Sequence, residues 1–284
     1  MTITQALAWP DPASTAHVYH GKGKDRPRFY RHRTEGWEYP GITTILKPWD
    51  KEGLVKWAAD LERAACLEAA ADVYAACLQN GYQLTNFAAA VEAKLGPARS
   101  HQRAKEKAAD IGTAAHDRIR WQIGQMLGLE TPRPEIPDES ELAVMAWEDR
   151  WKIAGITPVR SEQPVWSHTH RLAGTVDLFA LRDDKLGIVD LKSAKYIYPS
   201  SHYQVAGYCL LAEELLGVPI EWAELWRVPK SLEQDLTLEV VPLGQMRVWN
   251  GQEAVIRTRS RDQLTRSLLG IYQAWETQMN PLAN

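Results

Sequence analysis

Two short apolar runs separated by a polar turn set the strongest limit on what this chain can become. They are residues 174–181, GTVDLFAL, and 185–194, KLGIVDLKSA, joined through Arg182, Asp183, Asp184 and Lys185. Both are rich in β-branched and aromatic residues, so they read as the strands of a hairpin. Each run also carries one acid, Asp177 and Asp190, within its apolar stretch. A carboxylate in a buried strand is costly unless something offsets its charge. The same feature on two neighbouring strands points to one shared remedy, a bound cation. Lys192 follows Asp190 by two residues. Side chains alternate along a strand, so these two emerge on one face.

An Asp-x-Lys on one strand, with an Asp on the strand before it, is the constellation of metal-dependent phosphodiester cleavage. The carboxylates hold a divalent ion, which polarises the phosphate and makes hydroxide available near neutral pH. The lysine stands close to that water and to the developing negative charge. Gly174-Thr-Val-Asp177, then Asp190-Leu-Lys192, then Gln204 and Tyr208 resemble the RecB-like branch of the PD-(D/E)XK nuclease superfamily. That branch also has a histidine after Gly-Thr on an earlier helix, and this chain has Gly112-Thr113-Ala114-Ala115-His116. A weaker likeness, around Pro40-Gly41-Ile42-Thr43-Thr44, is to phage-encoded exonucleases and the mitochondrial genome-maintenance exonuclease.

The resemblance implies an α/β fold, a restriction-endonuclease-like core with a mixed central sheet flanked by helices and helical additions at both ends. It implies Asp177, Asp190, His116 and the Leu191 carbonyl as metal ligands, with Lys192 orienting the water. Gln204 and Tyr208 would position the substrate; the alternative is that Tyr208 simply packs and Gln204 bonds locally. Glu162, on the strand before the hairpin, stands where some relatives have a glutamate that shapes the metal site; an exposed strand glutamate is the alternative. His116 has its own alternative, a core histidine bonded to backbone. Oxygen ligands fit Mg²⁺ or Mn²⁺, and an imidazole favours Mn²⁺. Some relatives hold an iron–sulfur cluster on four Cys; the three here, Cys66, Cys77 and Cys209, are too few. Their wide spacing and odd number fit reduced thiols in a cytoplasmic setting, bacterial or in a phage-infected host.

Net charge is −3, so any nucleic-acid surface must be local. Residues 22–33 carry six basic residues and one acid, 99–120 six and three, and 247–266 five and two. Residues 135–149 carry six acids and no base. Basic patches of this kind suit a groove that tracks a phosphate backbone, or are merely solvated faces. No run of eighteen apolar residues is present, so no membrane span is expected, and the first residues lack the pattern of a signal peptide.

Taken in order, residues 1–40 read as an arm, loose up to about 28, followed by a small hairpin at 29–39. Residues 41–155 read as a helical region carrying His116. Helices are expected at about 51–78, from a Thr85 cap to 95, at 99–127 and at 138–154. Residues 156–241 hold the α/β core, with a strand at 157–167, the hairpin, a helix at 199–216 and strands at 220–228 and 236–241. Residues 242–250 and 252–278 are expected to be helical. The whole reads as a single nuclease domain. Trp49 and Trp57 are candidates to stack on unpaired bases, with ordinary core packing as the alternative.

Gly187 to Ser193 lacks the second glycine of a phosphate-binding loop, so no nucleotide cofactor is expected. The expectation is a metal-dependent exonuclease acting on single- or double-stranded DNA ends in recombination or repair, with an annealing or recombination protein as a candidate partner. The alternatives are a DNA-binding or annealing protein on the same scaffold, or a structure-specific endonuclease. Oligomeric state stays open.

Overall fold

The computed structural model describes residues 8–20, 26–50, 52–80, 86–96, 99–194, 196–229, 238–249, 254–280 and 282. The chain divides into two compact units. The larger comprises Met1–Pro48 and Gly112–Asn284, the smaller Trp49–Ile111.

The larger unit is built on a five-stranded mixed sheet in the order β4-β5-β6-β7-β8. Its strands are β4 (Thr157–Ser167), β5 (Leu172–Arg182), β6 (Lys185–Lys192), β7 (Trp222–Arg227) and β8 (Glu239–Pro242). All neighbours are antiparallel except β6 and β7. That parallel pair needs a crossover, supplied by helix α6 (Pro199–Leu216). Asp183 and Asp184 both have positive φ, at 49° and 60°. That is the twist a two-residue hairpin loop requires, and Asp tolerates it better than most residues. The resulting register sets Leu178 opposite Val189.

Two hydrophobic clusters lie against the sheet. One joins Phe179, Ile188 and Leu225 to Ile42 and Ile45 of helix α1 (Ile42–Leu46), to Val205 and Leu211 of α6, and to Leu268 and Trp275 of α7 (Arg261–Gln278). The other joins Leu178, Val189 and Trp226 to Ile119 and Ile123 of helix α4 (Ser100–Met126) and to Val144 and Trp147 of α5 (Asp138–Ile153). β6 feeds both clusters, Ile188 one and Val189 the other, which is why its sequence is apolar almost throughout.

The smaller unit is helical. It contains α2 (Glu52–Asn80) and α3 (Phe87–Leu95), tied by a Lys94–Asp72 ion pair at 2.5 Å, and the start of α4. Asn86, not Thr85, occupies the position before α3; Thr85 lies outside the described residues. Trp49 is 61% exposed, and the side chain of Trp57 lies outside the described residues. The side chains of 101–109 and 247–250, residues 22–25 and residues 251–253 are outside them too, so much of each basic run is not described.

Both ends depart from expectation. Residues Thr15–Tyr19 form β1, antiparallel to β2 (Arg28–His32), which pairs in turn with β3 (Glu38–Pro40). The arm before β1 is anchored as well, with Trp9 edge-on to Phe179 and the Gln163 amide donating to the Pro10 carbonyl at 3.0 Å. At the other end, the helices expected at 242–250 and from 252 are a hairpin, β9 (Gln245–Trp249) with β10 (Ala254–Thr258). Val248, Val255, Ile256 and Thr258 are β-branched and find partners across that hairpin, which outweighs a weak helical pattern. The last helix starts only at Arg261, where Ser260 and Gln263 form a reciprocal cap. Among the described residues no helix is long and apolar enough to cross a membrane.

Candidate active site

Three acids occupy successive positions of one row across β4, β5 and β6. Gln163 faces Val176 and Ser161 faces Leu178, so Glu162 falls at the step of Asp177. The pairing of Leu178 with Val189 places Asp190 at the next step beside Asp177. Asp190 is 1% exposed. Asp177 Oδ2 accepts the Leu191 N–H at 2.8 Å, which pins one carboxylate to the backbone of the strand carrying the other. Leu191 itself packs its side chain in the cluster of α4 and α5.

Burial pushes the Asp190 carboxyl up to about 6. The Lys192 ammonium opposes that shift, and the charge of Asp177 adds to it. Asp177 is also raised, chiefly by burial, against the pull of Lys192, the Leu191 N–H and Arg120. Glu162 is pushed up to about 7 by burial and then by Asp177, with Arg120 opposing. These acids therefore resist ionisation together, which is the condition a divalent cation relieves.

Lys192 reaches the row as strand alternation predicts, with Nζ 2.6 Å from Asp190 Oδ2. The same Nζ donates to Gln204 Oε1 at 3.1 Å, and Gln204 Nε2 donates to the Tyr208 hydroxyl at 2.6 Å. Gln204 and Tyr208 stand one turn apart on α6, so a single helix face aims the lysine. Tyr208 is buried, and burial holds its phenol protonated far above neutral pH. Its ring lies against Gly174, where a Cβ would come within 2.4 Å of Cε1. The glycine three residues before Asp177 is thus the space that admits Tyr208.

His116 lies on α4 close enough for its charge to act on the Asp190 carboxyl. Among the described residues, no group of three or more His, Cys, Asp or Glu side chains converges as a metal cage. The donors in place are carboxylates on adjacent strands. That set fits a hard, water-rich ion of the Mg²⁺ type, which one or two carboxylates commonly hold with water completing the shell.

Sequence reasoning missed two residues. Arg120, one turn beyond His116, pairs with Asp117 at 2.6 Å and with Glu162 at 3.5 Å. Its spacing from His116 on the helix was the available signal. Tyr30, on β2, shares a 3.0 Å hydrogen bond with Thr175, two residues before Asp177. Nothing local in the sequence links positions so far apart. Glu162 has φ of 49°, a left-handed conformation rare for a non-glycine residue, and strain of this kind concentrates at functional sites. Compared with known proteins, the chain matches no family model and no curated protein.

Proposed function

We propose that the protein is a divalent-metal-dependent deoxyribonuclease on a PD-(D/E)XK core of the RecB-like branch, working from DNA ends in recombination or repair. One observation carries the reading: the Lys192 ammonium is suspended between the Asp190 carboxylate and Gln204, at 2.6 and 3.1 Å, beside a second buried acid on the neighbouring strand. A lysine whose only task was to neutralise Asp190 would need no glutamine and tyrosine behind it.

Asp177 and Asp190 would hold the cation, with Glu162 and His116 at the margin. When bound, the cation supplies polarisation of the phosphate and a water acidic enough to ionise near neutral pH. Lys192 donates from Nζ towards the attacking water and the phosphate oxygens, where negative charge grows. Gln204 Oε1 accepts a hydrogen bond from Nζ and so fixes the direction of its other N–H groups. Tyr208 fixes Gln204 in turn through its hydroxyl. The Leu191 N–H keeps Asp177 turned towards β6.

The test is cleavage of end-labelled DNA in Mn²⁺ or Mg²⁺, comparing the wild type with Lys192→Ala and Asp190→Ala. The wild type should release nucleotides, lose activity in chelator and leave covalently closed circles intact. Both variants should bind DNA and fail to cut it. A wild type that binds DNA without cutting in any divalent ion would overturn the reading in favour of an annealing protein. Cutting of closed circles would replace the exonuclease with an endonuclease.

A further inference from the structure

Four residues beyond Lys192, the chain passes Tyr196 and Ile197 and enters α6 beside a cavity of about 180 Å³. Ile197, Val240, Val241 and Ile256 give it apolar walls. His202, on the first turns of α6, also lines it and is 1% exposed. The His202 Nδ1 accepts the Gly244 N–H at 3.2 Å, so in the neutral ring the proton resides on Nε2. That Nε2 is buried and, among the described residues, has no hydrogen-bond partner. Burial keeps the imidazole neutral by pushing its pKa down to about 4. A buried donor without an acceptor calls for an explanation, and a ligand is one.

The rim supports that explanation. Tyr196 and Ile256 both line the cavity, yet they are 48% and 61% exposed, which leaves large apolar groups at its mouth. Among the described residues no Lys or Arg lines it, and the lining carboxylate of Glu239 is engaged by Arg227 Nε at 2.6 Å. Such walls disfavour a phosphate. They suit a flat, uncharged group with apolar faces and an acceptor on its edge.

We infer that the cavity receives a nucleobase of the strand held at the carboxylate row, with a base oxygen or ring nitrogen accepting from His202 Nε2–H. The inference rests on the nuclease reading. The two sites share their supports: the end of β6 carries Lys192 and leads to Tyr196, and α6 carries both His202 and Gln204. His202 and Gln204 leave α6 on different sides. But Arg227 of β7 pairs with Lys192 of β6 on one side and with Glu239 of β8, a lining residue of the cavity, on the other. Lys192 and the cavity wall are thus two strand spacings apart, about 10 Å, within reach of the base next to a phosphate held at Lys192.

The probe is a fluorescein-labelled single-stranded oligonucleotide in Ca²⁺, with one abasic nucleotide moved along it and binding read by anisotropy. One position should weaken wild-type binding about tenfold, the loss of one buried base. Ile256→Trp fills the mouth from an exposed position and should remove that positional penalty. His202→Leu should do the same if it folds. A flat abasic profile with intact binding overturns the inference and leaves the nuclease reading standing, as does a profile unchanged in Ile256→Trp. Failure to bind the oligonucleotides as single strands overturns this inference alone, and failure to bind them also as duplexes with free ends overturns the nuclease reading with it.

Discussion

Replacing Gly174 by Ala tests how the strand and the helix are fitted together. The added Cβ would stand 2.4 Å from Cε1 and 3.0 Å from Cδ1 of Tyr208. Neither side can yield cheaply. Gly174 is paired with Val165 inside the longest strand pairing of the sheet, and Tyr208 is 3% exposed with its hydroxyl tied to Gln204. Overpacking of this kind costs about 1–3 kcal/mol. For a unit of this size each kcal/mol lowers Tm by about 2–4 °C. Tyr208→Ala alone should cost about 3–5 kcal/mol by emptying the same space. In the double variant the new methyl occupies part of that space, so the two losses should sum to more than the observed one by about 1–3 kcal/mol. Urea denaturation of the four proteins closes the cycle. A Gly174→Ala cost below about 0.5 kcal/mol, within the range of indifferent surface changes, or strictly additive losses, would refute the packing argument.

Further predictions concern charge and aim. Without divalent ion, stability should fall as pH rises from about 4 to about 6. The folded chain keeps the Asp190 proton up to about 6, whereas the unfolded chain releases it near 3.8, a difference on the order of 3 kcal/mol. Glu162, raised to about 7, should extend the fall upwards. Thermal denaturation in chelator across that range should show the slope, and Asp190→Asn should flatten its lower part; a wild-type profile that rises through the window would contradict the shifts. Gln204→Ala should lower kcat about ten- to a hundredfold, as expected for a misaimed reacting group, while DNA affinity stays near wild type. An equal loss in affinity would instead place Gln204 on the DNA.

Local pattern was enough to read the hairpin, because the β-branched runs and the Asp183–Asp184 turn agree on one register. Alternation alone put Lys192 beside Asp190, and helical spacing put Gln204 beside Tyr208; both are bonded as that spacing requires. What escaped were features decided by distant partners. β1 exists because β2 is there to pair with it, and nothing in TAHVY announces that. Residues 242–258 carry Met, Arg and Gln that allow a helix, and only the cross-strand pairing of Val248 with Val255 decides otherwise. The glycine at 174 reads from sequence as a permissive strand residue. Its close approach to Tyr208, thirty-four positions later, is a fact of packing. Glu162 could be placed on its strand, but neither its left-handed backbone nor its hold on Arg120 follows from neighbouring residues.

The most direct measurement is an anomalous difference map from a crystal soaked in Mn²⁺. The account predicts a peak within coordination distance of carboxylate oxygens of both Asp177 and Asp190, lost in Asp177→Asn. A crystal that takes up Mn²⁺ only elsewhere, with Lys192 still seated on Asp190, would contradict it.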